Sequence, residues 1–326
     1  MIAKEAVLVQ LLRLVDRIPG PPVPQQRARG RPVVYSDQLF LKALVIMIVR
    51  RLHKVHEMLA VLAEPTPEMH AVRSLLVEQG RYPSRRTFER RLRRLPESLP
   101  AQIACLGHHL AALLQPWAQC GRAVALDSTL LRARGGVWHK KHKEEGVVPH
   151  TSIDTEAGWT KSGWHGWVYG WKLHLATTVA AVWIPLAARL TPANEADNEV
   201  APLLIQDLPR EVRFILGDLH YNAANVREVC EPTRMLVTTE RGAYPHTDDG
   251  VEVRRVFHKL RSVSIENFNE HFKGIFDVHA SVPTKGQVAT ARFALGAIFV
   301  YQIALLYRHE QGLNLNSGLK PFIRAA

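Results

Sequence analysis

The hydrophobic pattern changes period partway along the chain. Up to about residue 118 the apolar positions recur at helical spacing. Beyond Gly121 they gather into short β-prone runs separated by helical stretches. Residues 3–18 predict a short helix. Ser36-Asp37 opens a long helical region with Leu39, Ala43, Leu44, Met47, Leu52, Val55 and Leu59 at its apolar positions, broken by Pro65 and Pro67. A helix is predicted over 68–78. Ser84 suits the N-cap of a helix over 85–95, in which Phe88, Leu92 and Leu95 make one apolar stripe. Residues 98–116 predict a separate apolar helix closed by Pro116.

After Gly121 the run Ala123-Val124-Ala125-Leu126 reads as a buried strand that stops at Asp127, at its C-terminal edge. Residues 168–179 and 183–190 predict an antiparallel pair, and 212–218 and 234–239 predict further strands. Helices fall at 195–208, 222–230 and from 264. Asp248-Asp249-Gly250 predicts a hairpin turn. Residues 293–307 are apolar but too short to span a bilayer and contain Gln302, which predicts a buried helix and no membrane partner. The expected division is a helical region over 1–118, with a Pro-rich, basic linker near 19–32, and an α/β domain over 119–326 that includes the C-terminal helix.

Charge sharpens this picture. The 326 residues are 47% hydrophobic and 22% charged, enough for a full core, and carry a net charge of +12, which points to a polyanionic partner. Arginines cluster in one block. The 85–95 helix carries Arg85, Arg86, Arg90, Arg91, Arg93 and Arg94 around its apolar stripe against a single Glu89, the pattern of a helix presented to DNA by a helix-turn-helix pair. A solvated basic face is the other reading. Three cysteines, Cys105, Cys120 and Cys230, offer neither a disulfide framework nor metal-binding spacing, and no secretory signal is evident, so an intracellular setting is expected.

The candidate chemistry is acidic. Asp218 repeats the opening motif, a carboxylate closing an apolar strand. Glu266 lies on a predicted helix whose inward stripe is Ile265, Phe268, Phe272 and Ile275, with Asn269 and Lys273 on its own side. Singly, each acid is also explained as a turn or surface residue. As an ordered set on two strand ends and a helix, Asp127, Asp218 and Glu266 would converge at one sheet edge. Their mutual repulsion would then call for a divalent cation with hard oxygen ligands, Mg²⁺ or Mn²⁺. Two such ions activate a hydroxyl and stabilise the leaving oxygen in phosphoryl transfer.

With those residues in hand, the chain resembles the DDE transposases of bacterial insertion sequences. Leu126-Asp127-Ser128-Thr129 is similar to the first-aspartate motif, Tyr169-Gly170-Trp171-Lys172-Leu173-His174 to the YGxKLH strand, and Thr191-Pro192-Ala193-Asn194-Glu195-Ala196-Asp197 to the TPANxxD segment. Gly217-Asp218-Leu219-His220-Tyr221-Asn222 is similar to the second-aspartate motif, and Glu266 with Lys273 to the glutamate–six–lysine signature. The resemblance implies an α/β fold, a ribonuclease-H-like mixed sheet flanked by helices, behind an N-terminal all-α DNA-binding region.

It further implies a metal-dependent enzyme that cleaves and transfers DNA strands at the ends of an insertion sequence. Asp127, Asp218 and Glu266 would be the catalytic metal ligands and Lys273 a DNA contact. Arg85, Arg86, Arg90 and Arg91 are the candidate DNA-binding residues of the basic helix. The implied partners are double-stranded DNA, as terminal inverted repeats and target, and a second copy of the chain in the DNA complex, in a bacterial cytoplasm at the nucleoid. A nuclease that does not rejoin strands and an inactive DNA-binding relative are the alternatives. The family's tyrosine and arginine upstream of the glutamate fall on Lys259 and Ser262, with Arg261 one position off.

Other residues are weighed more briefly. Asp154 and Asp197 are reserve carboxylates. His174 is expected to be a hydrogen-bonded sheet histidine, and the lysines between His139 and His142 argue for a basic loop rather than a metal site. Trp159, Trp164 and Trp167, set among Gly158, Gly163 and Gly166, are open to two readings: base stacking or packing against the sheet.

Overall fold

The computed structural model describes residues 6–22, 34–114, 122–163, 165–179, 182–238, 248–315 and 317–325, with backbone alone over 248–254. Most of the predicted linker, Cys120 and Trp164 lie outside these. By its contacts the chain forms two units, residues 1–106 with 291–326, and residues 107–290.

The first unit is helical: α1 (Val7–Val15), α2 (Asp37–Val49), α3 (Val55–Leu62), α4 (Pro67–Ser74) and the start of α5 (Arg85–Leu114). The single long helix expected from Ser36 is two. Arg51 takes a left-handed φ of 56°, and the Leu52 N–H returns to the Met47 carbonyl at 2.7 Å, ending α2. Conversely, the two helices expected over 85–95 and 98–116 are one, α5, with Pro96 and Pro100 inside it. Phe88 and Leu92 are fully buried and Leu95 nearly so, as the stripe predicts. The C-terminal segment, read from sequence as the end of the α/β domain, packs with these helices. Gln302 Nε2 donates to the Ile103 carbonyl at 2.8 Å, and Gly296 faces Leu44. It belongs to α11 (Gln287–Glu310), whose 24 residues are, against the expectation of a short stretch, long and apolar enough to cross a membrane by length and composition; 78% of its apolar window is buried inside the protein, as in a core helix. A last short helix, α12, covers Leu319–Ala325.

The second unit is built on one mixed sheet flanked by helices, the ribonuclease-H-like arrangement. Its strands are β1 (Ala123–Arg132), β2 (Gly158–Ser162), β3 (Gly166–Thr178), β4 (Pro185–Pro192), β5 (Phe214–Gly217) and β6 (Met235–Thr238), in the order β2-β3-β1-β5-β6, with β4 also on β3. β3 runs antiparallel to β1, β2 and β4, whereas β1, β5 and β6 are mutually parallel. The helices are the short α6 (Lys140–Glu144), α7 (Asp197–Gln206), α8 (Ala224–Cys230), α9 (Asp248–Arg261) and α10 (Asn267–Phe276).

Three sequence expectations need correction. β2 escapes the pattern because Gly158-Trp159-Thr160-Lys161-Ser162 has no apolar alternation. Asp248-Asp249-Gly250 opens α9 instead of turning a hairpin. An Asp-Gly pair is a local signal, and acids suit a helix N-terminus equally well. Asp127 does not end its strand either: β1 continues to Arg132, paired with β3 throughout.

What stops near Asp127 is the neighbouring strand. β5 pairs with β1 only over Ala123–Ala125 and ends at Gly217. From there on no strand among the described residues pairs with that edge of β1 until the Val282 N–H reaches the Arg132 carbonyl at 2.9 Å, and a notch opens in the sheet.

Candidate active site

The notch becomes a cavity of about 710 Å³ lined by Asp127, Asp218 and Glu266, together with Asp197, Arg261 and Lys172. Each side chain arrives for a local reason. Ala125 pairs with Leu216, so two residues further on the parallel register sets Asp127 level with Asp218. Asp218 also accepts the His220 N–H at 2.8 Å, capping the turn Leu219–Tyr221, so the turn reading and the site reading of this acid hold together. Gly217 is required just before it: a Cβ there would sit 2.8 Å from that of Tyr221, which folds under the turn and is buried.

Glu266 comes from the helical side. Ile265, Phe268 and Phe272 are fully buried and Ile275 nearly so, the inward stripe the sequence predicts. This packing fixes the rotation of α10. Three residues on from Glu266, Asn269 Nδ2 donates to Asp127 Oδ2 at 3.0 Å, tying the helix to β1 beside the carboxylate.

Between α9 and α10 the helix widens into a π-helical turn over Ser262–Glu266. Ser264 Oγ donates to the Leu260 carbonyl at 2.7 Å and Asn267 Nδ2 to the Val263 carbonyl at 2.8 Å, helping to satisfy acceptors in a turn whose backbone bonding is changed. A π turn takes up one extra residue. Arg261, five residues before the glutamate instead of four, is thereby returned to its face, and its guanidinium donates to Glu266 Oε1 at 2.9 Å. The one-residue offset in the sequence is absorbed by the backbone.

The electrostatics follow from this packing. Burial pushes the Asp127 carboxyl up to about 7; the Arg261 charge and the Ser128 N–H oppose the rise, and Asp218 and Asp197 add to it. Burial also acts to raise Asp197, but its contact with His174, the Lys172 charge and a Ser128 hydrogen bond hold it at about 2. Lys172 Nζ stands 3.3 Å and His174 Nδ1 3.4 Å from Asp197 Oδ1. His174 is buried with Nε2 2.8 Å from Thr191 Oγ1, as expected of a sheet histidine. Tyr221 Oη and Arg261 Nε are buried without a hydrogen-bond partner among the described residues. Asp127, Asp197, Asp218 and Arg261 all act electrostatically on that tyrosine. Such orphaned polar atoms mark a place where a further polar group completes the bonding.

Of the reserve acids, Asp197 is in the cavity and Asp154 is not. Asp154 accepts the Gly286 N–H at 2.9 Å just before α11. Lys273 does not line the cavity. It is partly buried, and burial lowers its pKa while Glu270 and Asp127 act to raise it. Among the described residues no group of three His, Cys, Asp or Glu side chains closes tightly enough to surround an ion, since Glu266 is turned onto Arg261. The donor set nevertheless fits a hard divalent cation in kind. It consists of carboxylates, two of them repelling each other, beside buried polar atoms that lack partners. Sequence reasoning missed Tyr221, which is buried behind the cavity lining within reach of the acids' charges, and Asn269, which holds Asp127. Asn269 was on the right helical face, but nothing in its own identity announced a role.

The basic helix divides differently from the expectation. Arg85 Nε donates to Glu89 at 2.8 Å, and Arg91 pairs with Asp37 while stacking 4.5 Å above the Phe40 ring. Both are spent within the protein. Arg86, Arg90, Arg93 and Arg94 instead line a shallow basic cavity of about 580 Å³ with Ser84, Thr87 and Glu89. Among the described residues these four make no ion pair.

The fold and the acidic notch define a class: an α/β protein of ribonuclease-H-like architecture with carboxylates gathered where a parallel strand ends. Residues 118–303 match the transposase DDE domain, more than half of the chain, and the chain belongs to that family. A comparison with curated proteins returns no match. Among solved structures the chain is similar to a Mos1 transposase paired-end complex with left transposon end (16% identity, 89% of this chain and 81% of that one, TM-score 0.22). It is similar also to a pre-cleavage Mos1 transpososome (14% identity, 86% and 80%, TM-score 0.21).

Proposed function

We propose that this protein cleaves DNA at the ends of a mobile element and joins the freed strands to a target, with Asp127, Asp218 and Glu266 as its catalytic carboxylates. The observation that carries this reading is the notch: the end of β5 sets Asp218 level with Asp127, and the packed stripe of α10 turns Glu266 into the same cavity. These three residues would hold Mg²⁺ or Mn²⁺. When bound, such ions supply an activated water or 3′-hydroxyl and a counter-charge for the leaving oxygen.

The chain's own groups have separable tasks. Asn269 fixes one oxygen of Asp127, which also lines the cavity. Asp197 is held ionised by the charge of Lys172 and the contact with His174, so it serves as a fixed wall that orients Lys172. Arg261 neutralises Glu266 in the free protein and keeps Nε available for a phosphate oxygen. On this account the one-residue insertion is silent. Deleting Val263, whose side chain is half exposed, should turn the π turn into an α turn and keep Arg261 facing Glu266, leaving cleavage within about tenfold of wild type. Arg261→Ala should lose on the order of a hundredfold, the scale for removing one charged donor. If the deletion is as damaging as Arg261→Ala, the register argument fails.

The N-terminal helical region is read as the DNA-binding part, through Arg86, Arg90, Arg93 and Arg94 in place of the full arginine set. Two copies would hold the two ends, in a bacterial cytoplasm. Incubating the protein with Mg²⁺ and labelled DNA carrying the element's ends distinguishes the readings. Strand-joined products are expected. Nicks alone would indicate a nuclease, and binding without cleavage an inactive relative.

A further inference from the structure

The β2–β3 hairpin reaches the mouth of the cavity, and its Thr160, Lys161, Ser162 and Gly163 line it. Its two tryptophans have different fates. Trp159 packs on Tyr169 with ring centroids 5.1 Å apart and donates its N–H to the Trp138 carbonyl at 2.7 Å. Trp167 is 65% exposed, more than any other large hydrophobic side chain among the described residues. A lone exposed hydrophobe is ordinary; what sets this one apart is its surroundings.

The register pairs Trp167 directly with Lys161, so indole and ammonium stand on one face of the hairpin. Among the described residues Lys161 makes no ion pair. Among the described residues, a Cβ placed on Gly163 or Gly166 would meet nothing within 4 Å. Asp127 pairs with Leu175, and Trp167 lies an even number of residues from Leu175 along β3. The indole and the carboxylate therefore face the same side of the sheet. At roughly 3.3 Å per residue the separation along β3 is at most about 26 Å, the length of about eight stacked bases.

We infer that Lys161 and Trp167 form a binding pair for an unpaired DNA strand near the cleavage point, the lysine holding a backbone phosphate and the indole stacking on the adjacent base. A cation beside a bare aromatic face is the combination by which proteins grip single strands without reading sequence. A cavity rich in carboxylates repels phosphate, so a cationic rim is needed to lead the strand in. This inference rests on the DNA-processing reading above.

The test compares a duplex bearing a short single-stranded overhang with 2-aminopurine against the same duplex made blunt. The wild-type protein should bind both and quench the 2-aminopurine. Trp167→Ala should abolish the quench and weaken overhang binding about tenfold, the order of a lost base–aromatic stack, while blunt binding stays within about twofold. Trp167→Phe should keep most of the affinity, and Lys161→Gln should lower the salt slope on the overhang substrate by about one. Asp218→Asn should lose cleavage and retain the quench. Equal loss on both DNAs, no loss on the overhang, or a change confined to the sedimentation of the DNA-free protein would overturn the pair; the last would assign Trp167 to a protein contact. Failure of the wild type to bind either DNA would instead undo the underlying reading.

Discussion

Asp127→Asn, Asp218→Asn and Glu266→Gln each eliminate DNA cleavage, by at least about a thousandfold, while end binding stays within a few-fold of wild type. The size follows from what each change removes. Metal-assisted phosphoryl transfer concentrates its stabilisation in a few fixed charges at the reacting atoms, and one such group accounts for about two to three orders of magnitude even when it is a single hydrogen-bond donor. The near-isosteric amides leave the packing of β1, β5 and α10 intact. For Asp127 the amide also removes a carboxylate that burial already disfavours, with its pKa raised to about 7, so the variant should fold at least as well as wild type near neutral pH. The sign is that of an acid whose folded value lies above its unfolded one. Its ionisation weakens the metal-free fold as pH rises from about 4 to 7, and the amide escapes that loss. Cleavage kinetics and urea midpoints for the three variants check both halves. Wild-type cleavage by any one of them would strike that residue from the site.

Replacing Arg86, Arg90, Arg93 and Arg94 together by alanine should lower DNA affinity by two to three orders of magnitude and flatten the salt dependence by about 3.6 in log–log slope, at about 0.9 for each phosphate no longer neutralised. Arg85→Ala should scarcely matter, since its partner is Glu89 one turn away on an exposed surface. Arg91→Ala should act on stability instead, because that guanidinium covers the Phe40 ring and bridges to Asp37. Salt-titrated binding and thermal melts separate the two classes. An unchanged slope in the fourfold variant would remove this helix from the DNA interface.

The division among those arginines shows where sequence stopped being informative. The apolar stripe Phe88, Leu92 and Leu95 was legible because helical spacing alone decides which side is buried. Which guanidiniums remain free was not, because Asp37 lies in a different helix and the pairing is set by tertiary packing. The strands ending in Gly217 and Thr238 and the helix bearing Glu266 were readable from period and β-branched content. β2 was not, since its five residues carry no alternation and take their place from β3. The strand at Asp127 was cut short because Ser128 and Thr129 read as turn residues, whereas β3 holds β1 extended to Arg132. Arg261 looked misplaced for a related reason: residue counting assumes an α-helix, and the π turn is visible only in the backbone.

The central claim is that Asp127, Asp218 and Glu266 jointly grip a divalent cation. Its most direct test is the anomalous scattering of crystals grown with Mn²⁺ and DNA. The account predicts a peak between the oxygens of Asp127 and Asp218, with Glu266 released from Arg261 onto the ion and Arg261 on a phosphate. A peak elsewhere, or Glu266 still bound to Arg261 beside a metal held without it, would contradict the account.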